Sequence, residues 1–240
     1  MASVATARAE PDWLSERRRK GASLASELPL PDAKKKGWEF TDLTSLDLDA
    51  YEPAGGTVGL EDGGAAEAGA LVLPLEVALQ ERPETLQEHL GSLVSIEDPF
   101  VARNDASWES GVLVYVPSGV RVPEPIEISA IQSASGTALY WRTLIILEEG
   151  AEAEVWEGYG SEDDELDALL NAVVELRVGS GSHLRYVCTQ DISEQSWIFA
   201  TQRAEPNPRA VQSSEPSGSA RRVARFEWRP SSPAGAQRPG

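Results

Sequence analysis

The chain has 240 residues, 39 acidic against 21 basic side chains for a formal charge of -18, and a single cysteine. One cysteine excludes an internal disulfide framework and a Cys–Cys metal knuckle, and the negative charge argues against binding to nucleic acid or anionic lipid. A hydrophobic content of 41% suffices for a packed core, so wholesale disorder is excluded.

No apolar run reaches the roughly 18 residues of a membrane span. The stretch from Met1 to Trp13 lacks the apolar segment of a secretory signal. A soluble cytoplasmic protein with no membrane or nucleic-acid partner is expected. The charge is unevenly placed. Residues 1–36 and 205–240 each carry a net +3, which leaves 37–204 at -24. An acidic surface of that kind favours solubility, or docking against a basic partner.

Taken in chain order, Pro11 and Asp12 suit a helix N-terminus. Trp13, Leu14, Leu24 and Leu28 supply its apolar face, Gly21 weakens it, and Pro29 and Pro31 stop it near Leu28. Lys34, Lys35 and Lys36 read as a solvated linker before Trp38–Leu43. Residues 52–68, rich in Gly, Ala and Glu, read as a loop. Leu71–Leu79 opens as strand and continues as helix. Pro83 starts a short helix carrying Leu86 and Leu90 that ends at Gly91. Residues 1–105 are therefore expected to be mainly helical.

From Gly111 the period changes to alternation, which argues for strands. Val112–Val116, a turn at Gly119, then Val120–Ile128 form one unit. Leu144–Leu147 with Gly150 and Ala151–Val155 form the next, and Val173–Val178 with Gly181 and Ser182–Val187 the third. The turn glycines are 31 residues apart in both intervals. A fixed period of strand, glycine turn and strand suits a β-solenoid in which each unit buries its apolar face on its neighbours. A β-sandwich or jelly roll of hairpins is the competing reading. The period places a fourth turn near Gln212, where neither alternation nor glycine appears. Residues 205–240 hold six Pro, six Arg and six Ser, a composition expected to stay disordered.

Little in the chain resembles an active site. His89 sits in a polar helical turn and His183 just after a turn glycine, and both read as surface residues. Cys188 reads as a small buried residue rather than a thiolate. Glu148, Glu149, Glu152, Glu154 and Glu157 are abundant carboxylates without a catalytic pattern. The Glu162–Asp167 run lacks calcium-loop spacing and reads as an exposed loop. No phosphate loop or serine elbow is present. Trp13, Trp38, Trp108, Trp141, Trp156 and Trp197 read as packing residues. No catalytic or metal-binding residue is assigned, and the chain is expected not to be an enzyme. A carbohydrate-active β-helix or a generic interaction solenoid are the alternatives.

Several stretches carry a resemblance. Gly37–Leu43 is similar to a Trp-x-Phe-Thr-Asp box, and Asp98–Ala106 to a Phe-x-x-Leu-Asn-x-Ala segment, with Arg103 in place of Leu. Gly111–Ile128, Asn171–Gln190 and Phe199–Ala204 complete an ordered series over about residues 15–204. In these the chain resembles the SufB/SufD family of SUF iron–sulfur cluster assembly proteins. The resemblance implies a right-handed parallel β-helix behind an N-terminal helical region. This divides the chain into helical residues 1–105, a partial β-helix core over 106–204 and a tail over 205–240. It also implies a cytoplasmic, non-catalytic scaffold subunit that works with a SufB-like subunit and a SufC-like ATPase. The iron–sulfur cluster is then held only transiently and in complex, with no intrinsic cofactor. Neither histidine matches a family site. Family members are longer, so a truncated or frameshifted chain with a break near Ala204 is expected, with impaired contacts to both partners.

Overall fold

A computed structural model describes residues 10–36, 38–206, 211–217 and 229–230. It is a parallel β-solenoid with a helical layer against one side. Helix α1 (Asp12–Glu27) leads into an irregular stretch with one 3-10 turn (Leu48–Ala50). Then follow strands β1 (Glu52–Pro53) and β2 (Thr57–Glu61), helix α2 (Ala65–Ala68), strand β3 (Leu71–Pro74), and helices α3 (Leu75–Glu81), α4 (Pro83–His89) and α5 (Pro99–Ser107). The solenoid strands are β4 (Ser110–Val116), β5 (Ile126–Gln132), β6 (Thr137–Leu147), β7 (Glu152–Ser161), β8 (Leu169–Val178), β9 (His183–Asp191), β10 (Trp197–Pro206), β11 (Val211–Ser217) and β12 (Arg229–Pro230).

Even-numbered strands from β4 to β12 stack in parallel as a first sheet, and β5, β7, β9 and β11 stack in parallel as a second. Antiparallel β3 closes the start of the first sheet on β4, and antiparallel β2 closes the second on β5. The alternative of a sandwich of hairpins is excluded, because each Gly turn joins strands of different sheets. Gly119, Gly150 and Gly181 all adopt positive φ near 70°, where only glycine avoids strain. They stack through main-chain bonds: Gly119 N–H donates to the Glu149 carbonyl and Gly150 N–H to that of Ser180, each at 2.9 Å.

The two sheets bury different faces, and their sequences show it. Inside the solenoid, Val112, Val114, Ile126, Ile128, Ile145, Leu147, Val155, Val174, Leu184 and Ile198 form the main core. The first sheet is also covered outside, where Leu113, Tyr140, Leu144, Ile146, Trp197 and Phe199 pack on Leu14, Trp38, Leu75, Leu86 and Phe100 of the N-terminal region. Burial on both faces makes β6 and β8 near-continuous apolar runs. Among the described residues nothing covers the second sheet outside, and β5 and β9 alternate.

The helical region differs from its expected form in two places. Within residues 52–68 the structure has β1, β2 and α2 rather than a loop alone, because β2 finds main-chain partners on β5. Gly21 is not a weak point but a contact. It is buried, and a Cβ there would meet the Ala102 carbonyl at 2.8 Å and the Ala106 amide at 2.9 Å. The expected helix α1, the strand-then-helix at Leu71–Leu79 and the short helix ending before Gly91 are all present.

The tail also differs. Val211–Ser217 is a strand paired in parallel with His183–Thr189, and Arg229–Pro230 pairs with β10. An open strand edge offers main-chain donors and acceptors whatever the side chains above it. The period shortens here. Val211 stands opposite His183 and Gln212 opposite Leu184, so the turn expected near Gln212 is strand instead; residues 207–210 lie outside the described residues. Of the segment expected to be disordered, residues 207–210, 218–228 and 231–240 also lie outside them.

Candidate functional site

Two polar clusters interrupt the apolar packing. The first lies inside the solenoid. Alternation along β7 turns Ala153, Val155, Glu157 and Tyr159 inward, so a carboxylate enters the core. Glu157 is 1% exposed. It accepts hydrogen bonds from Trp141 Nε1 at 2.6 Å, Thr143 Oγ1 at 2.6 Å and the Tyr186 hydroxyl at 2.5 Å. Cys188 is the register neighbour of Glu157 on β9.

Burial governs the titration of this cluster. It pushes the Glu157 carboxyl up, against the hydrogen bonds from Thr143, Tyr186 and Trp141 that favour the charged form. Burial first, and the Glu157 charge second, raise the Tyr186 and Tyr159 hydroxyls. The same two causes push the Cys188 thiol up to about 12, opposed by Tyr186 and Gln202. Cys188 is therefore a protonated thiol at neutral pH.

The second cluster fastens the helical layer to the outside of the first sheet. Arg142 of β6, Asp105 of α5 and Glu175 of β8 are all fully buried. Arg142 donates to Asp105 at 2.7 Å and to Glu175 at 2.8 Å. Arg17 of α1 donates to the other Asp105 oxygen at 2.5 Å. Glu175 also accepts from the Gly91 and Leu93 amides at 2.6 and 2.8 Å. Asn104 Nδ2 bridges the Trp141 and Asn171 carbonyls at 3.0 and 2.9 Å. Two guanidinium charges match two carboxylates, as burial of ions requires, while the Nε atoms of Arg17 and Arg142 are left without a hydrogen-bond partner.

The residues singled out in the sequence scatter. His183 is exposed on the outer face of β9, as expected. His89 is half-buried rather than on the surface, and its pKa is pulled down by burial and then by the Arg177 guanidinium. Glu148 accepts from the Tyr115 hydroxyl and from Ser118 at the first glycine turn, bonds that hold its carboxyl below the ordinary range. Glu152 and Glu154 pair with Arg121 and Arg185. Glu162–Glu165 is exposed loop. Of the tryptophans singled out above, Trp38, Trp108, Trp141 and Trp197 are buried, whereas Trp156 is 43% exposed.

The sequence reading passed over Asp105, Arg142 and Glu175. Their signal was a charge inside an apolar run, as in Leu139–Leu147. Among the described residues no group of three or more His, Cys, Asp or Glu is arranged to hold a metal ion, and no helix is long and apolar enough to cross a membrane.

The fold and its lined interior define a class: a parallel β-solenoid with a polar cluster in its core and a clamped helical layer. Residues 130–220 match the family model described as "SUF system FeS cluster assembly, SufBD core domain". That stretch holds the whole Glu157 cluster and runs past Ala204, where the break was expected. The chain is 31% identical over 138 residues to an "Iron-sulfur cluster assembly SufBD family protein" of Staphylococcus epidermidis. It is equally similar to one of Staphylococcus haemolyticus, and 30% identical to one of Staphylococcus aureus. Each alignment covers 57% of this chain and 30% of the relative. The chain is thus similar to SufBD family proteins over its SufBD core match, and it spans less than a third of the length of the curated relatives it matches.

Proposed function

We propose that the chain serves iron–sulfur cluster assembly as a SufD-type scaffold subunit, alongside a SufB-like subunit and a SufC-like ATPase. The observation that carries this reading is the family match over residues 130–220, which coincides with strands of both parallel sheets. In this reading the chain performs no catalysis, ATP chemistry belongs to the ATPase, and the cluster is cargo. A lone cysteine, buried as a thiol, supports the last point, since a cluster needs several thiolates. The proposed setting is the cytoplasm.

The test is a chromosomal affinity tag combined with deletion of the gene in its own cell. SUF subunits are expected among the co-purifying proteins, and the deletion is expected to lower the activity of iron–sulfur enzymes such as aconitase. A tagged chain that purifies without any SUF subunit, together with unchanged iron–sulfur enzymes after deletion, overturns the proposal.

A further inference from the structure

The outer face of the second sheet has nothing packed on it among the described residues, in contrast to the first sheet. One row across it is built against the ordinary logic of strand pairing. Glu61 of β2 stands directly opposite Glu127 of β5, and Glu127 is in turn the register neighbour of Trp156 of β7. Both glutamates are exposed and Trp156 is 43% exposed. Like charges directly opposed destabilise a strand pair. The cations of this face do not relieve them, because Arg121 pairs with Glu152 and Arg185 with Glu154. Neither Glu61 nor Glu127 takes part in an ion pair among the described residues.

An unrelieved carboxylate pair beside a half-exposed indole, whose N–H donates to Glu154, is complementary to one kind of side chain. A guanidinium is planar, carries five donors that can serve two carboxylates at once, and stacks on an indole face. A phosphate-bearing partner is repelled by the same carboxylates. We propose that this face docks a partner protein through an arginine-bearing segment, with a guanidinium between Glu61 and Glu127 and against Trp156. This goes beyond the role in cluster assembly and stands without it, because it rests on the geometry of the face alone.

The test uses the full chain and a labelled nine-residue peptide in which three arginines alternate with valines, followed by fluorescence anisotropy. The double variant Glu61→Gln/Glu127→Gln is expected to weaken binding about tenfold, and Trp156→Ala about fivefold. A control of equal charge change on the exposed loop, Glu162→Gln/Glu165→Gln, is expected to change it by less than about twofold. The peptide with citrulline for arginine is expected not to bind. The Glu61→Gln/Glu127→Gln chain is also expected to melt at a higher temperature than the parent, so that weaker binding is not unfolding. Equal weakening by the face and loop variants overturns the proposal, since attraction is then only the long-range field of an acidic chain. So does sedimentation velocity showing a dimer that the face variant abolishes, which makes a second copy the occupant.

Discussion

Inside the closed core of the solenoid, the Tyr186 hydroxyl donates to the Glu157 carboxylate at 2.5 Å. The two residues come from different coils, β9 and β7, and meet because alternation turns both inward. Trp141 and Thr143 reach the same carboxylate from the first sheet. The Tyr186 bond therefore links neighbouring coils of the second sheet, and the Trp141 and Thr143 bonds tie that sheet to the first through a polar group in an otherwise apolar interior. Glu157→Ala strands three buried donors and opens a cavity. Each stranded donor costs about 1–3 kcal/mol, so a loss of about 3 kcal/mol or more is expected in urea unfolding. Glu157→Gln keeps a carbonyl acceptor and is expected to lose about half as much.

The same residue sets a pH dependence. Burial raises the Glu157 pKa in the folded chain, so the folded state binds this proton more tightly than the unfolded state does. Stability from this group is present below the unfolded carboxylate pKa of about 4.3 and is lost as pH rises through the raised folded value. Wild-type stability minus that of Glu157→Gln is expected to fall over that window. Urea midpoints taken from pH 4 upward check it, and a difference that rises with pH refutes it.

Cys188 is 4% exposed and its thiol is pushed up to about 12. At pH 8 the native chain is expected to be inert to an aromatic disulfide reagent, whereas one thiol per chain reacts in denaturant. Reaction of the native chain at the rate of a free thiol would contradict the buried position. Above the unfolded thiol pKa of about 8.5, deprotonation favours the unfolded chain, so stability falls as pH rises toward 12.

Arg142 bridges two carboxylates that have no access to water, and Arg17 supplies the second positive charge. Arg142→Met leaves Asp105 with Arg17 alone and Glu175 with main-chain donors alone, and is expected to cost about 3–5 kcal/mol. Limited proteolysis gives a second readout, since the helical layer should be cut before the solenoid. Equal cutting of both would mean that the network does not fasten the layer.

Gly21→Ala separates helix propensity from packing. In an exposed helix the change gains about 1 kcal/mol. Here the new Cβ meets main-chain atoms of α5 closer than contact distance, and main chain does not yield as a flexible side chain does. The variant is expected to be less stable than the parent by about 1–2 kcal/mol, read from its thermal midpoint. A stabilised variant would show that α1 and α5 slide apart freely.

The sequence by itself determined the repeat. Gly119, Gly150 and Gly181 mark turns because glycine alone adopts positive φ at little cost, and alternation marks strands because side chains point to opposite faces. It also contained the inward position of Glu157, readable from the parity of Ala153, Val155 and Tyr159. Local spacing could not identify the partners. Arg142 lies 37 residues from Asp105 and 33 from Glu175 along the chain yet touches both, and the neutral sum that Arg17 completes is a property of packing. Nor could composition show that β9 would carry Val211–Ser217 as a further strand, since main-chain pairing at an open edge does not depend on side-chain hydrophobicity. The pairing of Glu61 with Glu127 depends on the register of β2, a strand that a Gly- and Ala-rich stretch does not announce. Contacts between residues distant in sequence are decided by how the coils stack and by which face the helices cover, and only the tertiary structure contains both.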